Sequence, residues 1–196
     1  MEIYATSDEH YNHINIIKYT NRPYKDVNEM NEALIANHNS VVKNPDDQVW
    51  HMGDFSMSEN IVQRILSRLN GTHYLVPGNH CKCHPVNKGW EAAKQRYLLY
   101  GFAGIYLQVE NFHGFVLNHL PYEEPNEYGK RFLHYRPIYK EGQFLLHGHV
   151  HSTPETKLRK NMLDVGVDGN NYLPYHLDEI KALVDKQRLI VKTNSQ

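Results

Sequence analysis

Asp8-Glu9-His10, Gly53-Asp54, Gly78-Asn79-His80, His119 and Gly148-His149-Val150-His151 are the five short stretches on which the reading of this chain turns. Each puts an Asp, Asn or His where an apolar run stops and the backbone is expected to leave a strand. Together they offer oxygen and nitrogen ligands for two metal ions that share one carboxylate. A two-metal site binds a phosphate ester, activates a water and stabilises the leaving oxygen. The set therefore points to a reaction class as well as to a fold.

Working outward, residues 2–6 read as a first strand, 48–52 as a second and 72–76 as a third, each ending in one of the quoted stretches. Residues 14–19 form a short helix. Asp26 is placed to cap a helix running to about Val42, with Met30, Leu34, Ile35 and Val41 near helical spacing. Ser58 is placed to cap the next, with Ile61, Ile65, Leu66 and Leu69 on one face, and 87–100 reads as a fourth helix. Residues 105–110 and 113–118 are expected to pair antiparallel around Asn111, with further strands at 143–146 and 162–167 and a closing helix at 177–188. Residues 121–138, rich in Pro, Tyr, Glu and Arg, read as a long loop. Strand alternates with helix early and strands dominate later. That order predicts one layered α/β domain over 1–196, with its chemistry at strand ends.

Composition bounds the function. A chain of 196 residues suits one domain and can bury enough surface to need no disulfide. It has no apolar run long enough to span a bilayer and no basic-then-apolar leader, so neither membrane nor secretion is expected. Cys81 and Cys83, the only cysteines, are too close for an ordinary loop-closing disulfide. They fit a reducing cytoplasm. The formal net charge of −1 argues against long nucleic acid as a partner. Histidine is abundant, with 14 copies, and several fall inside the quoted stretches.

On an extended segment residues i and i+2 point the same way, so Asp8 and His10, and likewise His149 and His151, are each expected to address one ion together. Asp54, after a glycine, can reach into a cleft and bridge two ions. Asn79 offers an amide oxygen and His119 a ring nitrogen. Mixed nitrogen and oxygen ligation suits Mn, Zn or Fe better than an all-oxygen calcium cage. Any one of these residues alone is an ordinary turn, cap or strand-end residue. All of them in order, each at an expected strand end, is not.

The ordered set Asp-x-His, Gly-Asp, Gly-Asn-His, a lone His and Gly-His-x-His resembles that of the calcineurin-like metallophosphoesterases, over residues 4 to about 151. Ser7 to His13, Asn21-Arg22-Pro23 and Asp164-Val165-Gly166-Val167-Asp168 resemble a small single-domain branch of that superfamily seen in phages and bacteria. The resemblance implies a four-layer β-sandwich flanked by helices, with a dinuclear centre at the carboxyl ends of strands. It implies two divalent ions, Mn or Zn ahead of Fe. One ion would take Asp8, His10, Asp54 and His151, and the other Asp54, Asn79, His119 and His149. His80 would bind no metal and would face the phosphate as general acid. A residue of that kind donates best with a pKa near the working pH. One position departs from the pattern: the superfamily carries Asp or Glu after Gly-Asn-His, and here it is Cys81. Glu9, Cys81 itself or a nearby carboxylate is the candidate to compensate.

Other residues have competing readings. His13 is a solvent-facing residue of a first helical turn, or a phosphate contact or ligand support. Arg22 clamps a phosphate through its planar fork, or makes a surface salt bridge. Cys81-Lys82-Cys83-His84 is a surface loop beside the site, or a second zinc or redox centre. Lys130, Arg131 and Arg136, interleaved with Tyr122, Tyr128 and Tyr135, suit phosphate binding and base stacking, or an ordinary solvated loop. His51, His73 and His147 read as packing residues, Asp164 as support behind the site, and Asp168-Gly169 as a turn.

The expected function is a metal-dependent phosphoesterase for small or nucleotide-type esters, with diesters, cyclic nucleotides among them, favoured. Catalysis falls to Asp54 and His80, and substrate contact to His13, Arg22, Asn79 and His80. Phosphomonoesterase, protein phosphatase and nuclease activities occur on the same scaffold. A non-catalytic scaffold of the same fold is the rival from another class, and a nucleic-acid-binding module is a third. Complete retention of the ligand set favours the enzyme. Oligomeric state is not legible.

Overall fold

Strands β1 (Ile3–Thr6), β2 (Gln48–His51), β3 (Thr72–Leu75) and β4 (Gly104–Ile105) lie parallel and in that order, with β10 (Tyr175–His176) antiparallel on the free edge of β1. The structure, a computed structural model, describes residues 1–123 and 131–193. A second sheet runs β5 (Val109–Phe112), β6 (Phe115–Leu117), β7 (Leu145–His147), β9 (Met162–Asp164) and β8 (Leu158–Arg159). Here β6, β7 and β9 are parallel and the two outer strands are antiparallel. The molecule is thus a mixed α/β fold with two mixed sheets.

Side-chain alternation explains the stacking. Ala5 and Trp50 of the first sheet meet Phe112, Phe115, Leu117, Leu146 and Leu163 of the second in one buried cluster. Leu177, Ile180 and Val184 of α5 (Leu177–Thr193) join that cluster. On the opposite side of the first sheet lie α1 (Ile14–Tyr19), α2 (Val27–Val41), α3 (Val62–Leu66) and α4 (Trp90–Leu99), packed around Leu34, Ile65, Leu75 and Tyr97. The far side of the second sheet carries only a small cluster of Val116, Leu145 and Met162 with Tyr122 against it.

Several expectations change. Residues 105–110 are not one strand. Ile105 ends β4 in the first sheet and Val109 begins β5 in the second, so the chain crosses between sheets there. An apolar run carries no mark of the sheet it serves. Asp26 caps α2, accepting from the backbone N–H of Asn28 and Glu29 at 2.9 Å. Ser58 caps nothing with its side chain. A single 3₁₀ turn, Glu59–Ile61, leads into α3 instead. α4 starts at Trp90, and β9 stops at Asp164 before a 3₁₀ turn, Val167–Gly169. No described helix is long and apolar enough to cross a membrane.

Behind β2 and β3 lies a buried polar string. Glu9 Oε1 meets His51 Nδ1 at 2.6 Å, and His51 Nε2 meets His73 Nδ1 at 3.0 Å. His38 bonds the Asn70 carbonyl nearby. Burial lowers His38, His51 and His73 to about 4, 3 and 2, from 6.5. The unfolded chain takes up protons near 6.5 that the fold refuses. Stability therefore falls as pH drops from 6.5 toward 4, by about 1.4 kcal/mol per pH unit for each ring. Glu9 works the other way: burial raises its carboxyl to about 7, so the fold takes a proton that the unfolded chain holds only near 4.5. His38→Gln is expected to flatten the pH dependence by one ring's worth, measured by urea unfolding between pH 6.5 and 4.5. An unchanged slope would refute the assignment.

Candidate metal centre

All five quoted stretches lie just past the carboxyl ends of β1, β2, β3, β6 and β7, where parallel strands of both sheets deliver their loops to one place. The two sheets are stitched together there. Ser7 bridges Gly166, and Val167 N–H donates to the Ser7 carbonyl at 3.0 Å. Within the second sheet, Gly148 N–H donates to the His119 carbonyl at 3.0 Å. β1 and β2 stay zipped beyond their ends: Asp8 N–H bonds Gly53 O and His10 N–H bonds Asp54 O, both at 3.0 Å.

The backbone reaches this geometry by a different route from the extended one expected. Asp8 and His10 have φ of 58° and 52°, Asp54 49°, and His149 and His151 74° and 49°. All five sit in the left-handed region, which costs a non-glycine residue about 1–2 kcal/mol and persists only where surrounding contacts over-determine it. Alternating left-handed residues, not a strand, aim Asp8 and His10 at one point, but His149 and His151 part: His151 joins Asp8 and His10, while the His149 ring lies beside that of His119.

The glycines before the ligands are explained by close approach. A Cβ on Gly78 would lie 2.1 Å from Asp54 Oδ1, and one on Gly148 1.9 Å from Ser7 Oγ and 2.3 Å from Asp8 Oδ2. Gly148→Ala is expected to push Asp8 out of its bond with Ser7 Oγ and to cost about 1–3 kcal/mol in thermal or urea unfolding. Wild-type stability would show that the loop gives way freely.

Six side chains converge. His10 Nε2 lies 3.7 Å from Asp8 Oδ1 and 3.8 Å from Asp54 Oδ2, and His151 Nε2 lies 3.9 Å from Asp8 Oδ1. His119 Nε2 lies 3.5 Å from Asp54 Oδ2 and 3.1 Å from Asn79 Oδ1. The His149 ring lies 5.1 Å from that of His119, outside the metal-capable groups found among the described residues. Asp8 Oδ1 and His10 Nε2 are buried with no hydrogen-bond partner. Separations of 3.5–3.9 Å are too long for hydrogen bonds. Two atoms each about 2.0–2.2 Å from one ion lie at most about 4.4 Å apart. The donor set and its orphaned atoms fit divalent cations. Among the described residues the groups able to hold an ion are Asp8, His10 and His151, and Asp8, Asp54 and His119.

Electrostatics agree. Burial pushes the Asp8 and Asp54 carboxyls up, yet both are held well below the usual carboxylate range, Asp8 chiefly by His151 and Asp54 chiefly by His119. Burial works against the His119 proton, but Asp54 more than reverses it and raises the ring to about 9. A cation entering the centre must displace such protons.

Apart from Asp164, expected behind the site, the supports were not legible in the sequence. Ser7 Oγ donates to Asp8 Oδ2 at 2.7 Å, and His149 N–H donates to the same oxygen at 2.8 Å. His119 Nδ1 donates to the Met52 carbonyl at 2.6 Å, which turns Nε2 toward Asp54 and Asn79. Asp164 accepts from the backbone of Ser152 and Gly166, holding the loop after His151. Asp168 is more than a turn residue: its Oδ2 meets His151 Nδ1 at 2.8 Å, and its carboxyl pairs with Arg22. Arg22 is neither phosphate clamp nor surface salt bridge. It is 4% exposed, and its guanidinium donates to Asp168 and to the carbonyls of Asp8 and Glu9. The acid and the arginine stand 146 residues apart, and neither motif gave a local hint of this pairing.

His80 is exposed at the cleft, its backbone N–H tied to Asp54 Oδ1 at 3.0 Å and its ring 5.9 Å from that of His10. His13 lines the same cleft, with Nδ1 3.3 Å from His10 Nδ1, a position that steadies His10. Cys81 and Cys83 do not form a surface loop. Both are buried in the helix-side core, and neither belongs to a metal-capable group among the described residues. Of the candidates to compensate for the missing acid, Glu9 is turned to His51 and Cys81 into the core. Tyr128 and Lys130 lie outside the described residues. Arg136 donates to the Pro121 carbonyl, Tyr135 packs on His84 and Tyr122 on Tyr139, so these serve the fold.

The cleft over the centre has a volume of about 810 Å³. Its lining beyond the ligands includes Ile16, Tyr19, Asn21, Met57, Val150 and Tyr172.

No protein-family model matches the chain. It is 33% identical over 201 residues to the uncharacterized protein MJ1445 of Methanocaldococcus jannaschii, covering 98% of this chain and 97% of that one. It is 31% identical over 201 residues to the gene 66 protein of Mycobacterium phage L5, covering 92% of each. The crystal structure of a protein of unknown function from Aquifex aeolicus superposes with a TM-score of 0.67 at 29% identity, over 93% of this chain and 98% of that one.

Proposed function

We propose that this chain, which belongs to the family of the Methanocaldococcus jannaschii protein and the phage gene 66 protein, is a metal-dependent phosphoesterase with a preference for diesters. One observation carries the reading. Two buried carboxylates and their histidines converge at strand ends around ligand atoms, Asp8 Oδ1 and His10 Nε2, that have no protein partner. Asp8, His10, Asp54 and His151 would hold one divalent ion, and Asp54, Asn79, His119 and His149 the other. Mn or Zn is favoured over Fe for this donor set. Bound there, the ions would supply Lewis-acid charge neutralisation at phosphorus and a nucleophilic water at neutral pH. The four-layer metallophosphoesterase sandwich is part of this reading. Two facing sheets with helices outside the first support it.

The chain's own residues do the rest. Asp54 fixes the His80 backbone through its second oxygen, so the general acid and the centre are positioned as one unit. The His80 ring, open to the cleft, is placed to give a proton to the leaving oxygen. The Asp168 carboxylate holds the His151 Nδ1 proton, which leaves Nε2 aimed at Asp8.

The test is metal removal, reloading with Mn, and hydrolysis of an aryl phosphodiester against an aryl phosphomonoester, with ion content measured. Two ions per chain and diester turnover are expected. His80→Ala is expected to keep both ions and slow turnover roughly 100-fold or more, most with poor leaving groups. A chain that takes up no ions would end the reading. Monoester preference would convert it to a phosphatase, and loss of ions in His80→Ala would remove the general-acid role.

A further inference from the structure

The cleft continues past the metal centre along α1, and this arm is built differently from the centre. Tyr19, the last residue of α1, stands at its rim 73% exposed. Asn21 adopts φ 54°, and the next residue, Arg22, is anchored in the interior, so Tyr19 and Thr20 are held out at the cleft edge. Ile16, Met57, Val150, Pro154 and Tyr172 line the same cleft. The Tyr19 ring lies 6.2 Å from that of His13, which links the arm to His10 and the centre. Tyr172 is held from behind by Tyr24, with ring centroids 5.3 Å apart, and by the Arg22 guanidinium.

Charge separates the arm from the centre. Among the described residues no lysine or arginine lines the cleft, and the one carboxylate beyond the ligands, Asp168, is already paired. A second phosphate or a carboxylate placed in the arm would find no cation. A flat, uncharged ring would find apolar walls and an exposed tyrosine face, on which stacking is sequence-tolerant and favourable. The volume of about 810 Å³ lies within the range of small-ligand sites and leaves room for a ring beyond a phosphate.

We propose that this arm is a ring-binding subsite, with Tyr19 as its stacking face, for the uncharged aromatic alcohol of a singly charged phosphodiester. The inference rests on the phosphoesterase reading and names its substrate class. The ring is that of an aryl alcohol or of a nucleoside base.

The test uses the full chain loaded with Mn and three diesters of 4-nitrophenol that share a leaving group and differ in the second alcohol: methanol, phenol or the 5′-hydroxyl of thymidine. The phenyl and thymidine esters are expected to exceed the methyl ester roughly tenfold in kcat/KM, with the difference in KM. That ratio should fall toward one in Tyr19→Ala and persist in Tyr19→Phe. Preference for the phenyl ester alone identifies an aryl site, and a further gain with thymidine identifies a nucleoside site. A wild-type ratio near one, or a ratio that survives Tyr19→Ala, overturns the subsite. Silence on all three esters would instead strike the phosphoesterase reading. The subsite is then decided by binding: in Tyr19→Trp, titration with methyl phenylphosphonate should quench the new tryptophan emission, and no quenching overturns the proposal.

Discussion

Asp54→Asn is expected to lower ion content in both halves of the centre together and to cut diester turnover by more than about 100-fold, beyond what loss of a supporting residue costs. The expectation follows from where its two oxygens point. Oδ2 faces His10 Nε2 on one side and His119 Nε2 on the other, at 3.8 and 3.5 Å. Oδ1 holds the His80 backbone. An amide keeps the shape and removes the charge that would balance two cations in the proposed centre. The substitution spares the backbone bonds of this corner, in which Asp54 offers its carbonyl to His10, so the fold should persist. A direct signature accompanies the loss: with the Asp54 charge gone, the metal-free His119 ring should titrate well below its raised value of about 9, visible by NMR. An Asp54→Asn chain with full ion content and full turnover would remove the shared-carboxylate arrangement.

Much of this corner was legible because its residues are punctuation. Gly53, Gly78 and Gly148 each stop an apolar run and precede a ligand, and the structure shows why: a Cβ at the latter two would occupy space held by Asp54, Ser7 or Asp8. Strands β1, β2 and β3 announce themselves by apolar runs ending at those glycines or at Asp8. The two-residue strands β8 and β10 do not, because pairing so short is imposed by neighbours rather than by local propensity. The division of 105–110 between two sheets is invisible for the same reason. The left-handed backbone at Asp8, His10, His149 and His151 runs against local preference and is held by contacts across the fold, among them the His149 N–H to Asp8 Oδ2 bond between residues 141 apart. A pattern of ligand types survives in sequence. The conformation that aims them does not.

Arg22 is where the two readings of an arginine near a phosphate site separate most sharply. Were it a substrate clamp, Arg22→Met would raise KM and leave stability untouched. The structure predicts the opposite order of effects. Its Nε and Nη2 reach Asp168 at 2.8 and 2.9 Å, and Nη1 and Nη2 reach the Glu9 and Asp8 carbonyls at 2.8 Å each. Burial pushes the Asp168 carboxyl up, but hydrogen bonds from His151 and Arg22 hold it down at about 2. Arg22→Met therefore strands a largely buried carboxylate and two carbonyls of the ligand loop. The expected cost is about 3–5 kcal/mol, or roughly 10–15 °C in Tm for a domain of this size. Lysine should not rescue it, since a single ammonium cannot span a carboxylate and two carbonyls at once. Asp168→Asn keeps the shape and loses the charge that orients His151. It should cost less stability but weaken metal binding about 10–100-fold. Thermal unfolding of the three variants, with metal titration of those that fold, checks the argument. A stable Arg22→Met chain with only a raised KM would return Arg22 to the substrate.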